Sequence, residues 1–497
     1  MFITLKKSLR EFHPDKQSIL NLILFILLSA LMPMFTLGYF NLSKDATADG
    51  SLIFFYEFGK YYPGIAPALY ISIPLSLLYI VLAIIFYQRM KKEVDDRKRA
   101  LFIIFFIFVI IRAISIFSFP YGEIDYTYIS PFNSQEILVH YEGYSIQSRI
   151  TNLLYDSCFY SYFVLFFYSI KAIAKKNRFI FHLIYIAIEL VVISMIVYSL
   201  IKEMDLYIFN FKKLFIEPLD SPSPLQSIAS FVNHRNAYGF FLMIGSIYSL
   251  AEFFEKENIL SFILCAIYYF LCLLIFSKTP FLLLTGTYLL MFILYPIFHY
   301  KRNPGWSTLF VILLVAIVSF VLISYLFYKE SVYDRFIKPL IEHLTHWSTM
   351  SSRRDITQSC LSMMNNPFYT LFGYSKYPFM TIFRDYNKVL PIDHTVDYST
   401  HNSFGDIFMY FGLVGLLFAA LFFAYLIRKL WVMLFKKKDY SAIRYLVLVV
   451  VILVYSYSEP RFILLEEGSA IIFSMMLSFP YVLRRESRNK EILLKNL

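Results

Sequence analysis

Long apolar runs separated by short polar segments dominate the chain. A helix needs roughly 20 apolar residues to cross the hydrocarbon core of a bilayer, and twelve runs approach that length. They lack the alternation that is typical of membrane-spanning strands, so helices are the expected spanning form. The pattern predicts an all-α, polytopic membrane protein with about 12 transmembrane helices. The predicted spans are residues 18–41, 66–88, 100–119, 151–174, 179–201, 237–254, 259–276, 279–298, 307–327, 403–427, 442–457 and 462–483.

Lys and Arg are concentrated in every second connection between these runs. Most of the 46 Lys and Arg residues lie there, for example in residues 89–99 and 428–445. Because short cytoplasmic loops are enriched in positive charge, these connections and both termini are predicted to be cytoplasmic. The predicted domains are residues 1–327 with helices 1–9, a large extracytoplasmic loop 328–402, and residues 403–497 with helices 10–12 and a cytoplasmic tail.

The large loop carries a helical pattern of its own. Apolar residues recur at helical spacing, which predicts an amphipathic helix. Two interpretations fit this pattern: a helix lying on the membrane surface, and a helix packed on the ends of the spans. The residues of the pattern are Tyr333, Phe336, Ile337, Leu340, Ile341, Leu344 and Trp347.

Composition agrees with a bilayer environment. Hydrophobic residues make up 58% of the chain and charged residues only 16%, against about 25% charged in an ordinary soluble domain. These values exclude a soluble enzyme, and the 4 cysteines show neither a disulfide framework nor a CxxC pair. The net charge of +11 is explained by the orientation signal, so no nucleic-acid partner is expected.

Basic residues recur at the predicted outer starts of helices, where a cation opposes the helix dipole. A bound anion would explain all of these positions, because free N–H groups and basic side chains together form a phosphate site. Contacts with lipid headgroups or with acidic neighbours are the alternative. We expect Thr279 to cap one helix, and Ser352 and Ser403 to open capping boxes. The candidate residues are Arg235, Asn236, Lys278, Arg353, Arg354, His401 and Asn402.

His401 is the candidate general base. A positive helix terminus and nearby cations would keep its imidazole neutral, and a neutral imidazole can accept a hydroxyl proton. Capping of the loop is the simpler role. His343 with His346, and His394, form no convincing metal set, so we expect no metal. Nucleotide-binding motifs and other cofactor motifs are absent, and no cofactor is expected.

Charged residues inside the predicted spans keep a second class of protein open. Arg112 and Asp156 lie near the outer ends of their spans, where they can pair, whereas Glu189 lies deeper. An intramembrane carboxylate is expensive to bury, which is typical of proton-coupled transporters. A lipid-linked oligosaccharide flippase is therefore an alternative, and a non-enzymatic scaffold for polysaccharide assembly is another.

Four short motifs resemble those of the O-antigen ligases and the related Wzy-type polymerases. They appear in the family's order: N-x-N-x-x-A, S-R-[ST], S-x-R followed by HP-x-x-G-x-G, and HNxxL followed by GxxG. This chain departs from them at Lys278, where Arg is usual, and at Asn366, where His is usual. The matching segments are 233–237, 277–280, 351–353 with 366–373, and 401–404 with 412–415.

The resemblance implies transfer of a glycan from an undecaprenyl-diphosphate carrier to an acceptor hydroxyl, without a nucleotide or a metal. Carried over by position, Lys278 and Arg353 would hold the diphosphate, with Arg354 beside them, and His401 would activate the acceptor. Composition typical of an AT-rich genome favours a capsular or exopolysaccharide polymerase over an O-antigen ligase. The implied partners are the lipid-linked oligosaccharides, membrane lipid, a chain-length regulator and a flippase.

Overall fold

The computed structural model describes the larger part of residues 179–458 and little of the chain on either side. The described residues are 124–129, 136–141, 179–215, 228–230, 235–275, 277–299, 304–327, 366–374, 402–436 and 442–458, together with Val81, Ile107, Ile110, Ala113, Ile114, Phe117, Arg149, Cys360, Leu361, Met363, Met364 and Thr400.

Helices dominate this described part. In chain order they are α1 (Phe179–Lys202), α2 (Met204–Phe215), α3 (Arg235–Lys256), α4 (Ile259–Leu274), α5 (Lys278–His299), α6 (Pro304–Phe327), α7 (Pro367–Phe372), α8 (Ser403–Trp431) and α9 (Ala442–Ser458). A short π-helix, Val432–Lys436, continues α8.

Seven of the predicted spans correspond to helices whose ends fall within a few residues of the prediction: α1, α3, α4, α5, α6, α8 and α9. Among the described residues, two segments are long and apolar enough to cross a membrane, Lys278–Ile297 and Ser403–Lys436, and four shorter apolar helices accompany them. The other five predicted spans lie mostly or wholly outside the described residues, so the number of transmembrane helices stays a prediction. The amphipathic helix at 333–347 lies outside the described residues, and the extracytoplasmic loop, described only in part, stays a prediction as well.

A two-stranded hairpin departs from the all-α prediction. Strand β1 (Ile124–Ile129) pairs antiparallel with β2 (Glu136–Tyr141), in a register that joins Ile124 to Tyr141. The hairpin lies in a connection that the hydrophobic pattern assigned to the outer side. Its residues are rich in Ile, Tyr, Val and Thr, types that favour strands once two such segments pair.

The chain divides into two compact units. One comprises Met1–His182, Ser351–Lys429 and Ser456–Leu497, and the other comprises Leu183–Met350 and Leu430–Tyr455. This division is by spatial proximity, and the predicted domain boundaries at residues 327 and 402 stay predictions.

Helix α3 is the core helix of the second unit. Residues Tyr238 to Phe254 are almost all buried, whereas α4 exposes the apolar stripe Ile263, Ile267 and Phe270. Such a stripe at helical spacing is what a lipid-facing surface requires. At one end of α3, Glu252 accepts a hydrogen bond of 2.9 Å from Arg444 of α9, and both side chains are buried.

Candidate functional site

The starts of α3 and α5 lie side by side in the second unit. The Ser277 hydroxyl donates a hydrogen bond of 3.1 Å to the side-chain oxygen of Asn236. A Cβ placed on Gly239 would come within 2.6 Å of the Ser277 Cβ, so the two backbones approach as closely as glycine permits. The first turns of two helices are therefore held together, with Asn236 and Ser277 at the contact.

Two of the predicted cations stand at this junction of α3 and α5. Arg235 is the first residue of α3 and Lys278 is the first residue of α5, and both are half-buried. The backbone N–H groups of a first helical turn have no partner within the helix. Two such turns, each beginning with a cation, concentrate positive potential in one place, which is the environment that an anion requires.

Asn236 connects the junction to a third helix. Its backbone carbonyl accepts a hydrogen bond of 3.1 Å from the Tyr455 hydroxyl of α9, while its side chain accepts the bond from Ser277. Asn236 therefore positions the junction through both its backbone and its amide oxygen. Its substrate-binding role stays a prediction.

The prediction that Thr279 caps α5 is wrong. The helix begins at Lys278, and the Ser277 carbonyl already accepts the Phe281 N–H at 3.1 Å. Thr279 is therefore the second helical residue, and Ser277 occupies the position before the helix. Pro280 lies in the first turn, as predicted, where its missing N–H costs nothing.

Helix α2 is a supporting element that the sequence analysis missed. The Tyr207 hydroxyl forms a closed ring of hydrogen bonds with the hydroxyls of Ser199 (2.9 Å) and Tyr238 (3.1 Å), and the Ser199–Tyr238 bond is also 2.9 Å. Burial raises the pKa of the Tyr207 phenol, so the ring stays neutral. Glu203, between α1 and α2, accepts hydrogen bonds from the N–H groups of Ala229 (3.2 Å) and Ser230 (3.0 Å).

The start of α8, in the first unit, is organised by Asn402. Its side-chain oxygen accepts hydrogen bonds from the N–H groups of Phe404 (2.9 Å) and Gly405 (3.3 Å), which is the geometry of an N-cap. Thr400 donates its hydroxyl to the Asn402 carbonyl at 2.6 Å. The buried carboxylate of Asp406 accepts the Thr400 N–H at 2.8 Å.

This geometry corrects the predicted capping box at Ser403. Ser403 is the first helical residue rather than the cap, and Asp406 binds the N–H of Thr400 instead of closing a box with Ser403. An Asn one position earlier caps as well as Ser does, so the local pattern contained two valid starts. The side-chain oxygen of Asn402 is therefore engaged by the helix start, and its substrate-binding role stays a prediction.

Two glycines join the 366–374 segment to α8. Gly412 has φ 64° and ψ −162°, which breaks α8 within its apolar stretch. Gly373 has φ 74° and lies against the backbone of Tyr410 and Phe411, while Gly412 lies against the Leu371 carbonyl. The Tyr374 N–H donates to the Met409 carbonyl at 2.7 Å. Any Cβ at either glycine would overlap backbone atoms, so only glycine allows this contact.

The short helix α7 carries this glycine contact. Asn366 caps α7, because its side chain accepts the Phe368 N–H at 2.9 Å, and Pro367 occupies the first turn. Asn in place of the family's His therefore has a local structural use. Burial raises the pKa of the Tyr369 phenol, and the positive charge of the buried Arg149 partly offsets this.

The remaining predicted residues lie outside the described part of the chain. These are the catalytic candidates His401, Arg353 and Arg354, the histidines at 343, 346 and 394, and the intramembrane pair Arg112 and Asp156. Of His401, the structure describes both neighbours in sequence, Thr400 and Asn402, which hold the start of α8.

Glu189 is the one intramembrane candidate in the described part. It is 2% exposed and accepts hydrogen bonds from the Ser249 hydroxyl at 2.8 Å and from the Tyr268 hydroxyl. The carboxyl group therefore joins α1 to α3 and α4. Sequence reasoning had no signal for its partners, which are 60 and 79 positions away along the chain.

Comparison with known proteins agrees with the motif resemblance. Residues 260–420 match the family model described as O-Antigen ligase, and no curated protein gives a significant match. Arg235 and Asn236 precede the match. The other candidate residues lie within it: Lys278, Arg353, Arg354, His401 and Asn402. The family resemblance is thus confirmed. Together with the apolar helices, it supports a membrane protein with a polysaccharide-processing function of the O-antigen ligase and polymerase kind.

Proposed function

We propose that this protein is a polysaccharide polymerase. It joins undecaprenyl-diphosphate-linked oligosaccharide repeat units on the outer face of the cytoplasmic membrane. The donor is a growing glycan on its lipid diphosphate, and the acceptor is a sugar hydroxyl of another lipid-linked unit. Both termini of the chain are cytoplasmic in this proposal, and the reacting groups are extracytoplasmic.

The observation that carries the proposal is the junction of α3 and α5. Arg235 and Lys278 begin two helices whose first turns are joined by the bond between Asn236 and Ser277. Each cation opposes the dipole of its own helix by about 0.3–1 kcal/mol. A dianionic diphosphate offsets that cost for both helices at once, because it accepts hydrogen bonds from N–H groups and basic side chains together.

The proposed reaction is a single displacement at the anomeric carbon. His401 accepts the proton of the acceptor hydroxyl, whose oxygen bonds to the anomeric carbon as the bond to the diphosphate oxygen breaks. The leaving group departs as undecaprenyl diphosphate, and its charge is neutralised by Arg235, Lys278, Arg353 and Arg354. One displacement inverts the anomeric configuration. In this scheme the side-chain cations do the work that a metal ion does elsewhere.

An O-antigen ligase is the second candidate, favoured by the description of the matching family model. A ligase uses the same donor and the same leaving group, but it transfers the finished glycan to a final acceptor. A flippase is the third candidate. The hydrogen bonds that Glu189 receives from Ser249 and Tyr268 favour a structural role for that carboxyl over proton transport.

Deletion of the protein in its native host separates these three candidates. Loss of a polymerase leaves single repeat units on the lipid carrier at the outer face. Loss of a ligase leaves long polymer that is still attached to the carrier, and loss of a flippase leaves repeat units facing the cytoplasm. Single repeats at the outer face support the proposal, and either of the other two products contradicts it.

A further inference from the structure

Helix α2 has one face that packs against the protein. Tyr207 is 4% exposed and Asn210 is fully buried, and the two lie on one side of the helix at a spacing of three. Tyr207 belongs to the hydroxyl ring with Ser199 and Tyr238. The Asn210 amide donates to the Leu274 carbonyl of α4 at 2.9 Å, which satisfies a carbonyl at the end of that helix.

A neighbouring face of α2 is apolar and exposed. Met204, Ile208 and Phe211 recur at spacings of four and three, and each exposes more than two-fifths of its surface. Along the chain, this face comes after the exposed apolar residues of α1, which end with Val197 and Ile201, the latter 73% exposed. Exposure of these apolar side chains to water is unfavourable, whereas lipid acyl chains can cover them favourably.

Lysines lie on the polar side of α2 and just before its start. Lys202 and Lys212 are exposed, and Lys213 is partly covered because its ammonium lies 5.8 Å from the centre of the Phe209 ring. Asp205 is the exposed acidic residue of α2. A basic polar side together with an apolar side is the arrangement found in helices that lie in a membrane interface and bind anionic headgroups.

The buried face of α2 touches the supports of both helix starts described above. Through Tyr238 it reaches α3, three residues after Arg235, and through Leu274 it reaches the end of α4, four residues before Lys278. A phosphate held near the lysines of α2 would therefore lie on an element that is hydrogen-bonded to α3 and to the end of α4, the helix that precedes α5.

We propose that α2 is a membrane-interface helix that binds the phosphate headgroups of anionic lipids beside the junction of α3 and α5. Met204, Ile208 and Phe211 insert among the acyl chains, and Lys202, Lys212 and Lys213 bind the phosphates. Lipid binding by α2 does not depend on the proposed function. Only its biological role rests on that function: the lipids bound by α2 would mark the place where a lipid-linked diphosphate donor arrives.

Insertion is tested with the full-length protein in vesicles of phosphatidylcholine and phosphatidylglycerol, labelled by a membrane-soluble carbene reagent and analysed by peptide mass spectrometry. We expect adducts on Met204, Ile208 and Phe211 at a level similar to that on Val197 of α1. Tyr207 should carry none, because it is buried. Absence of adducts on the three residues, with Val197 labelled, overturns the proposal and indicates a face covered by another protein or exposed to water.

Headgroup binding is tested by titrating phosphatidylglycerol into detergent-purified protein and counting bound lipids by native mass spectrometry. The double variant Lys212→Gln and Lys213→Gln should weaken binding by about fivefold per lysine, and Asp205→Asn should strengthen it. Equal binding by all three proteins overturns the role of the lysines.

Neither measurement involves glycosyl transfer, so this proposal and the proposed function fail independently. Lys278→Ala should lower transfer by about 10²–10³-fold and leave the carbene labelling of α2 unchanged. If the labelling pattern holds while no variant of the junction affects polymer formation, the interface helix stands and the proposed function falls.

Discussion

Two junctions bring motif-bearing segments of this protein together, and they differ in the groups that form the contact. The polar junction, in the second unit, joins α3 to α5 through the side chains of Asn236 and Ser277. The glycine junction, in the first unit, joins the 366–374 segment to α8 through Gly373 and Gly412, backbone against backbone. Side-chain bonds can be weakened one at a time, whereas a backbone contact that excludes every Cβ is either present or lost.

The difference has a functional meaning. At the polar junction the contact leaves Arg235 and Lys278 at the helix starts, where charge can act on a ligand. At the glycine junction the break in α8 lets the Met409 carbonyl accept the Tyr374 N–H, so a loop segment becomes a rigid neighbour of a helix. We therefore expect substitutions at the polar junction to change binding and substitutions at the glycine junction to change folding.

Gly412→Ala should have the largest effect. A Cβ at φ 64° is strained, and it would overlap the Leu371 carbonyl. Strain of about 1–2 kcal/mol and overpacking of about 1–3 kcal/mol together predict a large fall in the melting temperature of the purified protein and loss of polymer. Gly286→Ala in α5 is the matched control, since its Cβ would meet nothing within 4 Å. Equal melting temperatures for the two variants would remove the distinction between the junctions.

Lys278→Ala should lower glycosyl transfer by about 10²–10³-fold, the usual cost of removing one group that stabilises a developing charge. Its melting temperature should fall far less than that of Gly412→Ala, because a cation at a helix start opposes the helix dipole. The check is turnover of lipid-linked donor beside a thermal melt of the same preparation. Lys278→Arg keeps the charge and should keep most activity. A variant that unfolds more easily but turns over normally would refute the binding role.

Asn236→Ala and Ser277→Ala should each cost about 1 kcal/mol, the net value of one hydrogen bond. Because the two side chains share that bond, the double variant should cost less than the sum of the single variants. Thermal unfolding of the four proteins measures the coupling. Strict additivity would mean that the contact contributes nothing to holding α3 and α5 together.

The smallest expected effect concerns the alkylation rate of Cys360, which lies in the same unit as the glycine junction and reports on its folding. Burial, aided by the negative charge of Asp406, raises the pKa of its thiol well above the usual value. A raised pKa means less thiolate, so at pH 8 its alkylation in the folded protein should be at least about tenfold slower than that of an exposed thiol. Quantitative peptide mapping measures the rate at this site. We expect Gly412→Ala to accelerate it and Gly286→Ala to leave it unchanged; rapid labelling of the wild type would contradict the burial.

The length of the apolar runs was sufficient to locate the long helices, because a helix surrounded by lipid needs apolar residues along its whole length. Helix α2 was missed since Met204–Phe215 mixes lysines with aromatics and is shorter than a span. The break at Gly412 was missed because a single glycine inside an apolar run looks tolerable until a second segment packs on it.

The site was predictable in its residue types but not in its contacts. The basic residues at helix starts could be recognised locally, and the structure brings the starts of α3 and α5 together through Asn236 and Ser277. The pair of Glu252 with Arg444, separated by 192 positions, could not be recognised, since no local pattern links such distant residues. The cap at Asn402 was displaced by one position because Asn and Ser cap equally well.

The most direct test uses the purified protein in lipid vesicles with a single-repeat glycan on undecaprenyl diphosphate. We predict glycans of two and more repeats, with one undecaprenyl diphosphate released for each new linkage, and neither product from His401→Ala at equal protein level. Longer glycan without release of the diphosphate carrier, or full turnover by His401→Ala, would contradict the proposed transfer reaction.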